Sequence, residues 1–443
     1  MIYGSFGLAR WPVRCLVLLI AMAMLVIWSS RAGAQTEAFE DGNRWVVDQI
    51  NADEAWDTTQ GEGITVAIID DGIAAHPVFE GMDIRDGVDS TAPERSAHSR
   101  ASYHGTALAG ALVAVAPKVT ILPIAVWAPE EIAPGMKPNR NSRAFADAIY
   151  YAVEEGADVI NISSGLSGGP REREQMALQY AMDQGVVVVA AGGNDPDAAV
   201  GDPAREPGVV VVSGTGRNGD SWSSSTTGPE VVVAAPADYR PCLLTQSAEE
   251  RPDWAPEATE EDLYEDCQGT SYAAPAVAGA AALVKASDPS LTGNDIIQRL
   301  IDTASGVDGS RSDELGYGVV DVQAAIESDI SGVESNPLGY PLGEQGASEE
   351  YAAEALADNR LVDTPEADDT APESDSGSEG EESAGAESEA DSGQSLGLLI
   401  GAAGLVVLGG VIVTVVLVRQ QRRKRTSPGP VGTGGAQNPF GPQ

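Results

Sequence analysis

Cysteine is scarce in this chain, with 3 in 443 residues. That excludes a disulfide-dense mini-protein and any four-cysteine zinc site. Basic residues are scarce as well: 26 Lys+Arg stand against 67 Asp+Glu, a formal net charge of −41. Phosphate recognition needs a basic footprint, and the middle of the chain has no basic patch, so a nucleic-acid binder is excluded. No internal repeat is apparent. No loop shows a defined metal-ligand spacing, so neither a metal nor a cofactor is assigned despite the many carboxylates. At roughly 100–200 residues per domain the length allows one large or two modest domains plus tails.

What is present is organised from the ends inward. Arg10 and Arg14 precede an uncharged apolar run from Cys15 to Trp28, and Arg31-Ala32-Gly33-Ala34-Gln35 follows with the small residues of a signal-peptidase site. Residues 1–34 therefore read as a secretory signal, with an uncleaved anchor as the competing reading. Near the other end Leu396 to Val418 is 23 residues without a charge, followed by Arg419, Arg422, Arg423, Lys424 and Arg425. This predicts a transmembrane helix at 396–418 with a basic cytoplasmic tail at 419–443, which places the body of the chain outside the cell membrane. Glu344 to Asp391 holds 17 acidic residues and one basic residue, Arg360. Such a stretch cannot bury enough apolar surface to offset its ordering entropy, so 344–395 is expected to be an acidic disordered stalk. The remaining part, 35–343, has 50 acidic and 17 basic residues. Its acidity fits simple solubility, a salty or crowded surface, or basic substrates.

Within 35–343 two types of segment alternate. Apolar runs at Ile64–Ile69, Val119–Val126, Val159–Ile162, Val186–Ala191, Val209–Val212 and Val231–Ala235 are separated by helix-like segments. The latter include Ser142–Glu155, Arg171–Gln184, Ser271–Lys285 and Asn294–Thr303. Near-continuous Val/Ile runs of this length suit strands buried on both faces, and the alternation predicts an α/β fold with a mostly parallel twisted sheet and helices on both faces.

Three local patterns lie in order along this alternation. Val66-Ala67-Ile68-Ile69-Asp70-Asp71-Gly72 is an apolar strand ending in a carboxylate and a glycine turn. His104-Gly105-Thr106-Ala107-Leu108-Ala109-Gly110 is a histidine opening a small-residue helix, and Gly269-Thr270-Ser271-Tyr272-Ala273-Ala274-Pro275 is a serine entering an alanine-rich helix. A carboxylate, an imidazole and a hydroxyl at strand ends and helix starts are what nucleophilic acyl transfer requires. Each pattern alone is weak. Together, with their flanking residues and in this order, they resemble the signatures of the subtilisin-like serine proteases (peptidase S8 family) from about Trp45 to Ile326.

The resemblance implies a serine endopeptidase in which Ser271 is the nucleophile, His104 the general base and then acid, and Asp70 the group that orients the imidazole, acting on protein or peptide substrates through an acyl-enzyme. It extends to Val186–Asn194, a buried strand ending in an amide, and so implies Asn194 in the oxyanion hole. Asn161-Ile162-Ser163-Ser164-Gly165 resembles the strand edge on which these proteases pair an extended substrate, implying substrate contacts at Ser163, Ser164 and Gly165. Asp71 departs from the family, which usually has Ser or Thr after the Asp. Strand alternation sends the side chains of Asp70 and Asp71 to opposite faces, so only one is expected to orient the imidazole, leaving Asp71 to tune the pair or to bond nearby backbone. His76 lies in a family-like stretch where it is structural, and His98 reads as a solvated loop residue.

Cys242 and Cys267 are the two cysteines of the exported part, and an oxidising compartment predicts a disulfide between them. Only Gln35 to about Trp45 separates the signal from the catalytic region, so a large cis pro-domain is not expected. With the signal, the disulfide candidate and the C-terminal span, this resembles the mycosins, membrane-anchored subtilisin-like proteases of type VII secretion systems, and implies a membrane secretion complex as partner. The alternative is a membrane-anchored scaffold of such a complex that keeps the protease fold with secondary or lost activity.

Overall fold

The computed structural model describes residues 36–90, 96–98, 102–127, 142–165, 172–244, 263–306 and 310–343, with scattered positions from 353 to 361. The chain divides into two units, Met1–Ala367 and Asp368–Gln443, and every described residue lies in the first. The expected signal (1–34), span (396–418) and tail (419–443) lie outside the described residues. Among the described residues no helix is long and apolar enough to cross a membrane.

The sequence TVAIID forms β1 (Thr65–Asp70), buried along its whole length. Its β-branched residues have both faces covered because it runs through the interior of a seven-stranded sheet. The other strands are β2 (Val88–Asp89), β3 (Thr120–Ala125), β4 (Val159–Ile162), β5 (Val187–Ala191), β6 (Val210–Thr215) and β7 (Val233–Pro236). Their order is β2-β3-β1-β4-β5-β6-β7, and every pairing is parallel. Ile69 is registered against Ile124 on one side and Ile162 on the other. The α/β class and the parallel sheet read from the sequence are those of the structure.

Helices α1 (36–49) and α2 (Ala52–Ala55) precede the sheet. Asn43 ties α1 down: its Nδ2 donates to Pro241 O at 2.7 Å, and its Oδ1 accepts from Arg240 N at 3.2 Å. Two small-residue helices, α3 (His104–Val115) and α6 (Thr270–Ser287), pack on each other. Glycine permits the approach, since a Cβ at Gly279 would stand 3.1 Å from Val115 Cβ. Helices α4 (Ser142–Glu154) and α5 (Glu172–Asp183) pair elsewhere on the sheet. α7 (Gly293–Thr303) starts at a capping box of Thr292 and Asp295, and α8 (Val322–Glu327) starts at the Asp321 cap.

Two features were not legible in the sequence pattern. The first is an antiparallel pair, β8 (Asp238–Leu243) and β9 (Tyr264–Gln268), although the disulfide that joins them, Cys242 to Cys267, is the one expected from the sequence. The second corrects the near end of the expected stalk. Ala355 and Leu361 are buried in the core, and Asn359 Nδ2 donates to Asp147 O at 2.9 Å. These positions belong to the packed body, because their apolar side chains and one amide find partners there despite the acidic surroundings.

Candidate active site

Asp70 ends β1, and its carboxylate is fully buried. His104 opens α3, and its Nδ1 lies 2.9 Å from Asp70 Oδ1, with the imidazole side chain 14% exposed. Burial pushes the imidazole down, but the Asp70 charge and hydrogen bond, joined by the Asp71 charge, outweigh it and hold His104 above its ordinary value. With Nδ1 on the carboxylate, Nε2 is the ring nitrogen left for other chemistry.

Ser271 is the second residue of α6, reached from β9 through Gly269, whose φ of 153° and bond from its N–H to Ala237 O at 2.8 Å set the turn. The helix then meets Pro275, which has no N–H to return to the carbonyl four residues earlier. That carbonyl belongs to Ser271, and it accepts instead from Ser163 Oγ at 2.8 Å. In return Ser271 Oγ donates to Ser163 O at 3.0 Å. No hydrogen bond joins Ser271 Oγ to His104, although the imidazole stands beside the start of α6, its ring centroid 6.0 Å from that of Tyr272.

Asn194 follows β5 through Gly193, whose φ of 119° is one that residues with a side chain rarely adopt. Its Oδ1 accepts from Thr270 N and Thr270 Oγ1, both at 2.9 Å, while Gly193 N donates to Thr270 Oγ1 at 3.1 Å. The amide oxygen is thus occupied, and its Nδ2 lies 3.1 Å from where a Gly269 Cβ would stand, beside the turn into α6. Thr270, which the sequence reading assigned no role, is the residue that fixes Asn194. It lies inside the Gly-Thr-Ser pattern, so the signal was there.

Ser163, Ser164 and Gly165 follow β4. Ser164 Oγ accepts from Trp127 Nε1 at 3.2 Å, and a Cβ at Gly165 would meet no atom of the described residues within 4 Å. The following residues, 166–171, lie outside those described.

Asp71 does not act as a second partner of the imidazole ring. As expected, only Asp70 meets the ring, and Asp71, which precedes the turn at Gly72 (φ 101°), bonds backbone instead. The Asp71 carboxylate swings to the start of α3, accepting from Gly105 N at 2.7 Å, Tyr103 N at 3.2 Å and His104 N at 3.3 Å. Ser102 Oγ lies 2.6 Å from Asp71 Oδ1 and 2.7 Å from Gly72 O, sharing one proton between them. Burial and the Asp70 charge push the Asp71 carboxyl up to about 6, against the Ser102 hydrogen bond, the His104 charge and the Gly105 amide.

His76 is structural: Nδ1 accepts from Val78 N at 3.1 Å, capping a short turn of helix at Pro77–Phe79, and Nε2 lies 3.2 Å from Leu263 O. His98 is not the solvated loop residue the sequence suggested. It bridges Ile73, its N–H donates to Asp86 O at 2.9 Å, and its Nδ1 is buried. Backbone pairing with the loop after β1 draws it inward. Among the described residues no group of three or more His, Cys, Asp or Glu side chains is placed to hold a metal ion.

A parallel sheet whose strand ends set a buried carboxylate on an imidazole beside a serine at a helix start defines the class of α/β serine hydrolases. The chain matches the profile of the Subtilase family (peptidase S8) over residues 61–318. It is similar to a thermostable alkaline protease of Halalkalibacterium halodurans, 33% identical over 264 residues that cover 59% of this chain and 68% of that one. Thermitase of Thermoactinomyces vulgaris is 33% identical over 252 residues, covering 53% and 80%. Among solved structures, MycP1 with the N-terminal propeptide removed aligns with a TM-score of 0.53 at 28% identity, over 67% of this chain and 98% of that one. MycP1 from the ESX-1 type VII secretion system aligns with a TM-score of 0.54 at 28% identity, over 66% and 88%. The chain belongs to the subtilase family of subtilisin-like serine proteases.

Proposed function

We propose that this subtilase is a membrane-tethered endopeptidase that cleaves peptide bonds through Asp70, His104 and Ser271. The observation that carries the reading is the 2.9 Å pairing of His104 Nδ1 with Asp70 Oδ1 beside the first turn of α6. A serine hydroxyl is a poor nucleophile until a base takes its proton, and a carboxylate on the other ring nitrogen fixes the tautomer and stabilises the imidazolium. Turning the Ser271 hydroxyl off Ser163 O brings its proton toward Nε2; catalytic hydrogen bonds commonly tighten only when substrate is bound. Oγ then attacks the scissile carbonyl, His104 passes the proton to the leaving amine, and water hydrolyses the acyl-enzyme by the reverse roles. The developing oxyanion would take Asn194 Nδ2 and the Ser271 N–H, one of the first amides of α6, on the positive end of the helix. An extended peptide would pair along Ser163, Ser164 and Gly165.

The uncharged 396–418 stretch with its basic flank supports a single-pass anchor with the protease outside and the C-terminus in the cytoplasm. The alignment to MycP1 of a type VII secretion system supports a membrane secretion complex as partner. One observation favours the alternative, a protease-fold scaffold: the Ser271 hydroxyl rests on Ser163 O rather than on His104. A fluorophosphonate probe decides between them. Labelling of the wild type but not of Ser271→Ala supports the enzyme, and a folded wild type that is not labelled supports the scaffold. Membrane fractionation with external proteolysis of whole cells tests the topology, and loss of the tail rather than the body would reverse it.

A further inference from the structure

The first amides of a helix need acceptors, and α3 has none of its own. Its N-cap is Tyr103, whose side chain makes no capping bond. The acceptor comes from 32 to 34 residues away: Asp71 takes the N–H groups of Tyr103, His104 and Gly105 together, and the Ser102 hydroxyl besides. Neighbouring contacts close the same seam, with Ala74 N donating to Thr106 Oγ1 at 2.8 Å and Thr106 Oγ1 to Ser102 O at 3.0 Å. Two adjacent carboxylates therefore hold one histidine, Asp70 by its ring and Asp71 by its backbone.

We infer that Asp71 is a positioning residue for the base: by fixing where α3 begins it fixes where the His104 imidazole stands. Its charge, the smallest of the causes that hold His104 above its ordinary value, acts on the same ring. This rests on His104 being the base. A hydroxyl after the Asp, as the family usually has, could accept from these amides but would carry no charge. Three groups share the surroundings: Asp70 on β1, Glu265 on β9, which bonds the Tyr103 phenol, and Tyr272 on α6, whose phenol burial and nearby carboxylates push up. The bonds Asp71 accepts come from amides and a hydroxyl, with no Lys or Arg among them. Its charge is felt by His104, not cancelled locally.

The test measures the rate of fluorophosphonate labelling of the full chain against pH, for wild type, Asp71→Asn and Asp71→Ser. Labelling needs neutral His104, so its acid limb reports the imidazole. Both variants are expected to label more slowly, about 10- to 100-fold if the base is misplaced by a fraction of an ångström to an ångström. Their acid limbs are expected to move to lower pH by roughly one unit, because a negative charge near the imidazole has gone. Wild-type rates, or slower labelling with an unmoved limb, would overturn the inference and leave Asp71 a purely structural cap. Should Asp71→Asn fail to fold, Asp71→Ser decides by the same two readings. A wild type that is not labelled at Ser271 removes the base itself, and the proposed function and this inference fall together; a labelled wild type with unshifted variants sinks the inference alone.

Discussion

Ser163 and Ser271 exchange two hydrogen bonds, hydroxyl to carbonyl in each direction, at 2.8 and 3.0 Å. Pro275 makes the first of these necessary, because it withholds the N–H that the Ser271 carbonyl would otherwise receive. Ser163→Ala should therefore cost stability by about 1–2 kcal/mol, the price of a carbonyl left without a donor. Fluorophosphonate labelling should slow about tenfold if a similar energy is lost from the reacting geometry. Urea unfolding and labelling rates check both, and an unchanged labelling rate would show that this pair does not position the nucleophile.

Asn194 has two separable duties. Its Oδ1 holds Thr270, and its Nδ2 is the donor proposed for the oxyanion. Asn194→Asp keeps an acceptor for Thr270 and replaces the donor by a second acceptor. It should retain the thermal midpoint of the wild type yet lose kcat by about 10²–10³-fold, the cost found on removing such a donor in subtilisin, with KM little changed. Steady-state kinetics on a cleaved peptide give the answer.

Two buried groups titrate against each other. Burial pushes His76 down to about 4, opposed by its bond to the Leu263 carbonyl. The unfolded chain takes up this proton near 6.5, so His76 removes about 3 kcal/mol as pH falls from there through 4. Asp71 has the opposite sign: its folded value of about 6 lies above the unfolded 3.8. Its stabilisation is complete below the unfolded value and is lost as pH rises through the folded one. Between pH 7 and 5 these two contributions oppose each other. Asp71→Asn should lose stability on acidification over that window and His76→Asn should gain it, as read by urea midpoints at the two values.

The disulfide spans 25 residues between β8 and β9. The chain-entropy estimate for such a loop is about 3–4 kcal/mol. The double Cys→Ser variant should unfold at correspondingly lower urea. Labelling should slow as well, because Glu265 on the same hairpin holds Tyr103, the residue before His104. A variant as stable as the wild type would show that the hairpin is held by its packing.

Gly105→Ala sets helix propensity against contact. Alanine favours a helix over glycine by about 1 kcal/mol. A Cβ at 105, however, would stand 2.0 Å from Gly72 O and 2.9 Å from Asp71 Oδ1, and neither the backbone nor the buried carboxylate has room to yield. Contact should win, with a loss of about 2 kcal/mol or more and a collapse of labelling. A stabilised variant would mean that the seam between Asp71 and α3 is looser than its hydrogen bonds imply.

The interior of this fold was legible because each central strand is an unbroken apolar run. β4 has the bounds read from sequence, Val159–Ile162, and α6 extends the expected Ser271–Lys285 only to Thr270–Ser287. The hairpin β8–β9 was not. Its sequences, DYRPCL and YEDCQ, carry charges and a proline, and among the described residues its strands pair with each other and not with the main sheet, so no two-sided burial imprints a pattern. At the proposed site, Asp70, His104, Asn194 and Ser271 each stand in a motif that sets a particular functional group next to a particular turn. Their supports were less legible: Thr270 lies within the Gly-Thr-Ser motif, but its bond to Asn194, 76 residues away, is not written there, and Ser102, 31 residues from Asp71, belongs to none of the motifs. Asp71 was legible in part: its bonding to backbone was expected, but that the backbone would be the start of α3, 32 to 34 residues on, has no local pattern to announce it.

The chain order of the site has a consequence for truncated copies. Asp70 and His104 stand on β1 and α3, whereas Ser271 stands on α6, which lies across β4, β5, β6 and β7. A chain that ends before Thr270 carries the carboxylate and the imidazole without the nucleophile proposed for them, whatever else of it has folded.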